Sequence, residues 1–344
     1  MRITIKDVAR VAKVSQATVS LVLNDAPGVS KATREHVMSV MRDMNYKPDS
    51  LARSFSSRRA SALALVMPPF REAFDDPYFT HLLLGVLEAV RDHNYHLVLE
   101  VADERFGAQR LWNELYATRR VDAFVVATPY LDQNYLQELA AGRIPALLLN
   151  GARADLPDLD FVGYDDVRCG MDATYYLIGL GHRRIAHIAG PLNQASAQAR
   201  LQGYRDALER SRIPYREEYV FPGDYKPDTA VAAIEQILAL PDEARPTAVF
   251  CANDTSAIAA MEAAQAAGIR VPAEMSFVGV DDTGAAERSV PPLTTFRQDI
   301  FMLAKMGADR FITRLEQRGE PGRPFSDRIP MELVERESCA PVER

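Results

Sequence analysis

The chain has only three cysteines, Cys169, Cys251 and Cys339, an odd number scattered without metal-ligand spacing. They suit a reducing cytoplasm and supply no disulfide framework. No apolar run approaches the length of a membrane span, and the N-terminus lacks the apolar stretch of a signal peptide. A cytoplasmic protein is therefore expected, with no membrane partner. Catalytic signatures are equally scarce. Gly179-Leu180-Gly181 resembles the opening of a dinucleotide loop, but it follows a helical stretch and lacks the third glycine. It reads better as a helix end turning into a strand. Asp282-Thr283-Gly284 matches the aspartic-protease triplet once, and a turn between helix and strand explains it. His93, His96, His182 and His187 do not present two ligands on one face of a capped helix, which argues against a metal. There is neither a phosphate-cradling lysine loop nor a G-x-S-x-G elbow. No enzyme is indicated and no cofactor is expected.

Charge is present, but unevenly. Residues 1–60 carry eleven Lys or Arg against five Asp or Glu, a net +6, whereas the remainder carries 29 against 42, a net −13. A basic head on an acidic body is expected if only the head meets a polyanion. Within the head, Thr4-Ile5-Lys6-Asp7 opens a short helix with Val8, Ala9 and Ala12 on one side. After a tight connection, Ser15 sits at an N-cap position, and Val19, Val22 and Leu23 recur at helical spacing. Gln16, Ala17, Ser20 and Leu21 are left on other faces. Two short helices so joined read as a helix-turn-helix with its second helix in a DNA major groove, or as a plain helical hairpin. The charge asymmetry favours the first. Ser30 caps a third helix whose stripe of Val37, Val40, Met41 and Met44 supplies core, and Pro48 stops it.

The stretch from Lys47 to Ser61 is short, polar and basic, with Leu51 and Phe55 four apart. It reads either as a flexible tether or as a marginal helix that orders against a partner. An apolar wedge with flanking Arg residues suits a DNA minor groove.

From Ala62 onward short apolar runs alternate with helical stretches, in two sets of similar size joined near 151–160. The first set includes a helix over Ala108 to Arg119; the second opens with a strand at Phe161 to Tyr164. The pattern predicts an α/β body of two lobes, each with a parallel sheet covered on both faces. Ligands of such sheets bind beyond the carboxyl ends of the strands. There the chain places Asp75 and Asp76, Tyr78, Phe79, Asp165 and Asp166, Gln194, Ser196, Arg200, Tyr225, Asn253 and Asp254, and Asp281 and Asp282. Carboxylates and amides accept from hydroxyls, Arg200 offers a planar fork, and the aromatics offer stacking surface. Taken singly, each Asp or Asn is as readily a helix N-cap.

These residues bring the chain to a resemblance over essentially its full length. T-I-K-D-V-A-R-V-A-K-V-S-Q-A-T-V-S from Thr4, V-S-K-A-T-R-E from Val29 and N-Y-K-P-D-S-L-A-R-S-F from Asn45 carry it in the head. G-H-R-R-I from Gly181, R-P-T-A-V-F-C-A-N-D from Arg245, F-V-G-V-D-D from Phe277 and P-P-L-T-T-F-R-Q-D from Pro291 carry it in the body. The chain resembles the lactose-repressor and purine-repressor family of bacterial transcription regulators.

The resemblance implies a helix-turn-helix domain over 1–47, a hinge helix over 48–61, and a periplasmic-binding-protein-like effector and dimerisation domain over 62–344. Its N-lobe would be 62–162 with 290–323, and its C-lobe 163–289 with 324–344. The implied DNA contacts are Thr4, Ser15, Gln16, Ala17, Thr18, Ser20, Leu21, Asn24, Ser30, Arg34, Tyr46, Leu51, Ala52, Arg53 and Phe55. Gln16, Ala17 and Leu21 occupy the base-reading positions, where some members carry a polar residue in place of Leu21; Phe55 stands where many have a leucine wedge. The implied effector contacts are Asp76, Tyr78, Phe79, Asp165, Gln194, Ser196, Arg200, Tyr225, Asn253 and Asp281. Gln194 replaces an arginine used by purine-binding members, which weighs against a purine. The final C-A-P-V-E-R carries no leucine heptad, so a homodimer is expected rather than a tetramer. The function implied is an effector-gated repressor binding a near-palindromic operator in double-stranded DNA, with a sugar or sugar derivative as effector. A solute-binding receptor and an enzyme on the same body are the alternatives from other classes.

Overall fold

A computed structural model describes residues 3–23, 27–46, 60–68, 77–317 and 323–342. Leu51, Ala52, Arg53 and Phe55 of the expected hinge lie outside the described residues, as do Asn24 and Asp76. The chain divides into two units, Met1–Ser61 and Ala62–Arg344.

The first unit holds helices α1 (Ile5–Val11), α2 (Gln16–Leu23) and α3 (Lys31–Asp43). Each begins where a short polar side chain satisfies an orphan amide. Asp7 Oδ2 accepts from the Thr4 amide at 3.0 Å. Ser15 Oγ accepts from the Thr18 amide at 3.0 Å, and Ser30 Oγ from the Thr33 amide at 3.2 Å. Helices this short are marginal alone, so packing must hold them. Val8, Val19 and Val37, one from each helix, are each 0% exposed in a shared core. Each such side chain contributes roughly 1.5–3 kcal/mol on burial.

The second unit runs β1 (Ala62–Met67), α4 (Pro77–Asp92), β2 (His96–Val101), α5 (Glu104–Ala108), α6 (Leu111–Ala117) and β3 (Ala123–Ala127). Next come α7 (Tyr135–Ala141), β4 (Ala146–Leu149), β5 (Asp160–Tyr164), α8 (Asp166–Gly179), β6 (Ile185–Ile188) and α9 (Ala195–Arg210). Then follow β7 (Val220–Phe221), α10 (Pro227–Leu238), β8 (Ala248–Cys251), α11 (Asp254–Ala266), β9 (Ser276–Asp281) and α12 (Gly284–Arg288). The unit ends with β10 (Thr294–Arg297), α13 (Ile300–Glu316), β11 (Ser326–Ile329) and β12 (Glu332–Val334). Two six-stranded sheets result, ordered β11-β5-β4-β3-β1-β2 and β12-β10-β9-β8-β6-β7. All pairings are parallel except β10 with β12. The helix expected over Ala108 to Arg119 is shorter, Leu111–Ala117, because Arg110 at φ +52° separates it from the preceding helix, which ends at Ala108.

The lobe bounds expected from the sequence need correction. The division at 162/163 would cut β5, which pairs along its length with β4 and β11 and closes the first lobe instead of opening the second. β10 belongs to the second sheet and β11 to the first, so 290–297 and 326–329 each change lobe. The chain crosses after Tyr164, between Arg297 and Ile300, and between Ile329 and Glu332. Hydrophobic pattern shows that β5 is buried but does not show in which sheet. That is decided by long-range partners: buried Asp160 accepts from the Phe325 amide at 3.0 Å and pairs with Arg314 of α13.

In the second lobe α8 and α9 approach closely through glycine. A Cβ at Gly170 would lie 2.1 Å from the Arg200 carbonyl oxygen, and one at Gly203 would lie 2.0 Å from that of Val167. Only glycine permits this approach, which carries Arg200 up to the start of α8.

Candidate functional site

A cavity of about 320 Å³ lies between the lobes, at the carboxyl ends of both sheets. The first lobe lines it with Tyr78 and Phe79 from α4, Thr128 and Tyr130 after β3, and Asn150 after β4. The second lobe contributes Pro191 and Gln194 after β6, and Ser196 and Arg200 from α9. It also supplies Asp224, Tyr225 and Lys226 after β7, Asn253 after β8, and Asp281 at the end of β9.

Arg200 is 4% exposed. Its Nε and Nη2 each donate to Asp166 Oδ1 at 2.9 Å, and Nη1 donates to the Ala252 carbonyl. Burial works against the cation, but the Asp166 carboxylate beside it more than compensates, so the guanidinium is held above its ordinary pKa.

Asn150, 2% exposed and at φ +54°, joins the two lobes at the cavity floor. Its Nδ2 donates to the Tyr78 hydroxyl at 2.8 Å and to Gln298 Oε1 at 3.2 Å, while its Oδ1 accepts from the Tyr164 amide at 3.1 Å. Gln298 Nε2 donates onward to Asp281 Oδ1 at 3.2 Å. Burial pushes the Tyr78 hydroxyl well above the ordinary tyrosine range, so it remains a proton donor at neutral pH. At the front of the cavity the lobes meet through backbone. The Leu131 amide donates to the Asn193 carbonyl at 2.8 Å, and Tyr130 bridges Gln194 in antiparallel fashion.

Tyr225, at φ +66°, lays its ring against Gly190, where a Cβ would meet Cζ at 2.3 Å. Its carbonyl accepts from Asn253 Nδ2 at 3.2 Å, and Asn253 Oδ1 caps α11 by accepting from the Ser256 amide at 3.0 Å. Asn253 thus serves as both cap and cavity wall.

Of the residues singled out in the sequence, Tyr78, Phe79, Gln194, Ser196, Arg200, Tyr225, Asn253 and Asp281 are brought together here. Asp165 is not: its carboxylate accepts from the Arg168 amide at 3.1 Å and is spent on capping α8. The neighbouring Asp166 takes the buried place against Arg200. Thr128, Tyr130, Asn150, Pro191, Asp224 and Lys226 were not anticipated, although all follow strands whose ends mark the ligand side. Asp254, also expected at this edge, instead accepts from the Thr283 amide at 2.8 Å and from the Thr295 hydroxyl.

In the first unit Thr4, Ser15, Gln16, Ala17, Leu21 and Ser30 are exposed, and Thr18, Ser20, Arg34 and Tyr46 half-buried. The Ser15 and Thr18 hydroxyls hold each other at 2.8 Å, and Arg34 donates to the Val22 carbonyl at 3.4 Å. Gln16, Ala17 and Leu21 therefore stand on the solvent side of a capped helix whose other side, Val19 and Val22, is core.

Two family descriptions match the chain: "Bacterial regulatory proteins, lacI family" over residues 4–49 and "Periplasmic binding protein-like domain" over 174–339. The HTH-type transcriptional regulator DegA of Bacillus subtilis is 32% identical over 346 residues, covering 99% of each chain. The structure of a transcriptional regulator CelR–cellobiose complex is 32% identical, covers 98% of this chain and 100% of its own, and superposes with a TM-score of 0.73. The lac repressor dimer bound to operator and the anti-inducer ONPF is 28% identical, covers 99% and 100%, and has a TM-score of 0.81. With a capped helix-turn-helix unit, a two-lobed body and full-length relatives above 30% identity, the chain belongs to the lacI family of bacterial transcription regulators.

Proposed function

We propose that this protein is a cytoplasmic repressor that binds a near-palindromic operator as a homodimer and is gated by a small sugar or sugar derivative. The observation that carries the reading is the cavity itself. It is walled by both lobes, joined across them at the floor by Asn150, Gln298 and Asp281, and at the front by Leu131 and Asn193. A ligand there bears on how the lobes sit against each other, and it acts only through different affinity for the DNA-competent and incompetent states. Tyr78, Phe79 and Tyr225 offer apolar and stacking surface to a sugar ring, and Gln194, Ser196, Arg200, Asn253 and Asp281 the polar contacts. The relative whose structure is a complex with cellobiose supports a sugar. In this reading Gln16, Ala17 and Leu21 face the major groove, with Thr4, Ser15, Thr18, Ser20, Ser30, Arg34 and Tyr46 on the phosphates. Asn24, Leu51, Ala52, Arg53 and Phe55 complete the set, and two Phe55 rings enter the centre of the operator from the minor groove. Footprinting of the full chain on DNA flanking its own gene, with and without a panel of sugars, tests the proposal. A protected palindrome whose occupancy one sugar changes is expected; no protected palindrome under any condition overturns it.

A further inference from the structure

We infer that Arg153, a residue outside the cavity lining, is the positioning residue of the cavity mouth. It fixes and polarises the peptide group between Tyr130 and Leu131, through which the first lobe donates to the second. Its consequence for gating rests on the effector reading above, but the contact is tested without any ligand.

Two observations carry it. The first is that one peptide group is held from both lobes. Its carbonyl oxygen, that of Tyr130, accepts from Arg153 Nη1 at 2.9 Å, and its N–H, that of Leu131, donates to the Asn193 carbonyl at 2.8 Å. The Arg153 side chain is 2% exposed, and Asp155 clamps its other edge, accepting from Nε at 2.9 Å and from Nη2 at 2.8 Å. A planar guanidinium gripped on two nitrogens aims the third in a fixed direction. The same grip holds the Asp155 carboxyl below its ordinary pKa, so the pair stays ionised at neutral pH. A cation against a carbonyl oxygen draws electrons through the amide and makes its N–H a stronger donor. The two hydrogen bonds therefore reinforce each other where water is excluded. Arg153 thus acts on the second lobe through a peptide of the first.

The second observation is where the loop between β4 and β5 runs. Gly151, at φ +92°, seats that loop at the junction. A Cβ there would lie 3.3 Å from Pro129 Cδ and 3.9 Å from Ala195 Cβ, one neighbour in each lobe. Leu156 and Leu159, both buried, anchor the far side of the loop. The guanidinium is therefore carried to the mouth on a loop that is itself held against it.

The test follows the full chain, free of ligand, isotope-labelled at tyrosine carbonyl carbons and leucine nitrogens. Only a Tyr–Leu peptide then gives a signal, and the sequence has three, ending at Leu131, Leu136 and Leu177. Leu136 lies in α7 of the first lobe and Leu177 in α8 of the second, so these two report any wider loosening. In Arg153→Met, exchange of the Leu131 amide is expected to speed up about fivefold, the worth of roughly one hydrogen bond. Its proton and the Tyr130 carbonyl carbon are expected to move upfield, with Leu136 and Leu177 unchanged. Arg153→Lys keeps the charge without the fork and is expected to fall between that variant and the natural protein. The Asp155 side chain is 55% exposed, so neither variant strands a buried carboxylate. An unchanged Leu131 in Arg153→Met overturns the inference. Faster exchange at Leu131 together with Leu136 or Leu177 makes Arg153 a merely structural residue and overturns it too. If Arg153→Met does not fold, Arg153→Lys decides alone by the same outcomes. Failure of every sugar in the footprinting above would overturn the effector reading and leave this contact as it is.

Discussion

The Leu131 amide donates to the Asn193 carbonyl at 2.8 Å across the mouth of the cavity, joining the lobes by backbone. This bond reports whether the mouth is closed. Hydrogen exchange at Leu131 is expected to slow when effector binds, and Leu131→Pro, which removes the donor, is expected to weaken effector binding by about 1 kcal/mol. Leu131 exchange that ignores the ligand would mean that closure does not pass through this contact.

The buried pair of Arg200 and Asp166 makes Arg200→Ala more than a binding variant. Losing one partner leaves the other charge uncompensated in the interior, at a cost of about 3–5 kcal/mol. Denaturant unfolding of the body should show a loss of this size together with lost ligand response. A variant as stable as the parent would mean that solvent reaches Asp166.

His187 is 0% exposed, stacked 4.6 Å from Phe250 and 5.4 Å from Tyr204, with Nδ1 against the Phe250 carbonyl at 3.0 Å. Burial pushes its pKa down to about 4, below the ordinary 6.5. The folded state thus prefers the neutral ring. The stability it supplies is complete above pH 6.5 and is lost as pH falls toward 4. Unfolding midpoints measured between pH 7 and pH 4.5 are expected to fall more steeply for the natural protein than for His187→Gln; equal slopes would remove His187 as the cause.

Gln16 is exposed and is the one amide among the three residues proposed to face the major groove. If it reads a base edge, Gln16→Ala costs about 1–3 kcal/mol of discrimination at one position of each half-site. Gel-shift titrations on operators varied base by base measure this. An unchanged preference assigns specificity to the hinge and to DNA shape.

The sequence made much of this legible, for local reasons. The caps at Ser15 and Ser30 stand where short polar residues precede apolar periodicity, and eight cavity residues stand where strand ends put them. Asp165 and Asp166 show the limit. Two adjacent carboxylates open one helix, and only the packing of α8 against α9, permitted by Gly170 and Gly203, decides which faces Arg200. Asn150 and Tyr130 were missed because their roles depend on partners far away in the chain, at Gln298 and Gln194. The exchange of β10 and β11 between sheets was hidden for the same reason.

That exchange bears on the order in which the protein is made. Each sheet takes one edge strand from near the end of the chain, β11 at Ser326–Ile329 and β12 at Glu332–Val334. The three-helix unit, contained within Met1–Ser61, needs nothing beyond itself for its core. As the chain leaves the ribosome from its N-terminus, the part that touches DNA can fold long before either lobe has all its strands. Every molecule therefore passes through an interval in which its three-helix unit is folded while the sheets that wall its cavity are still incomplete.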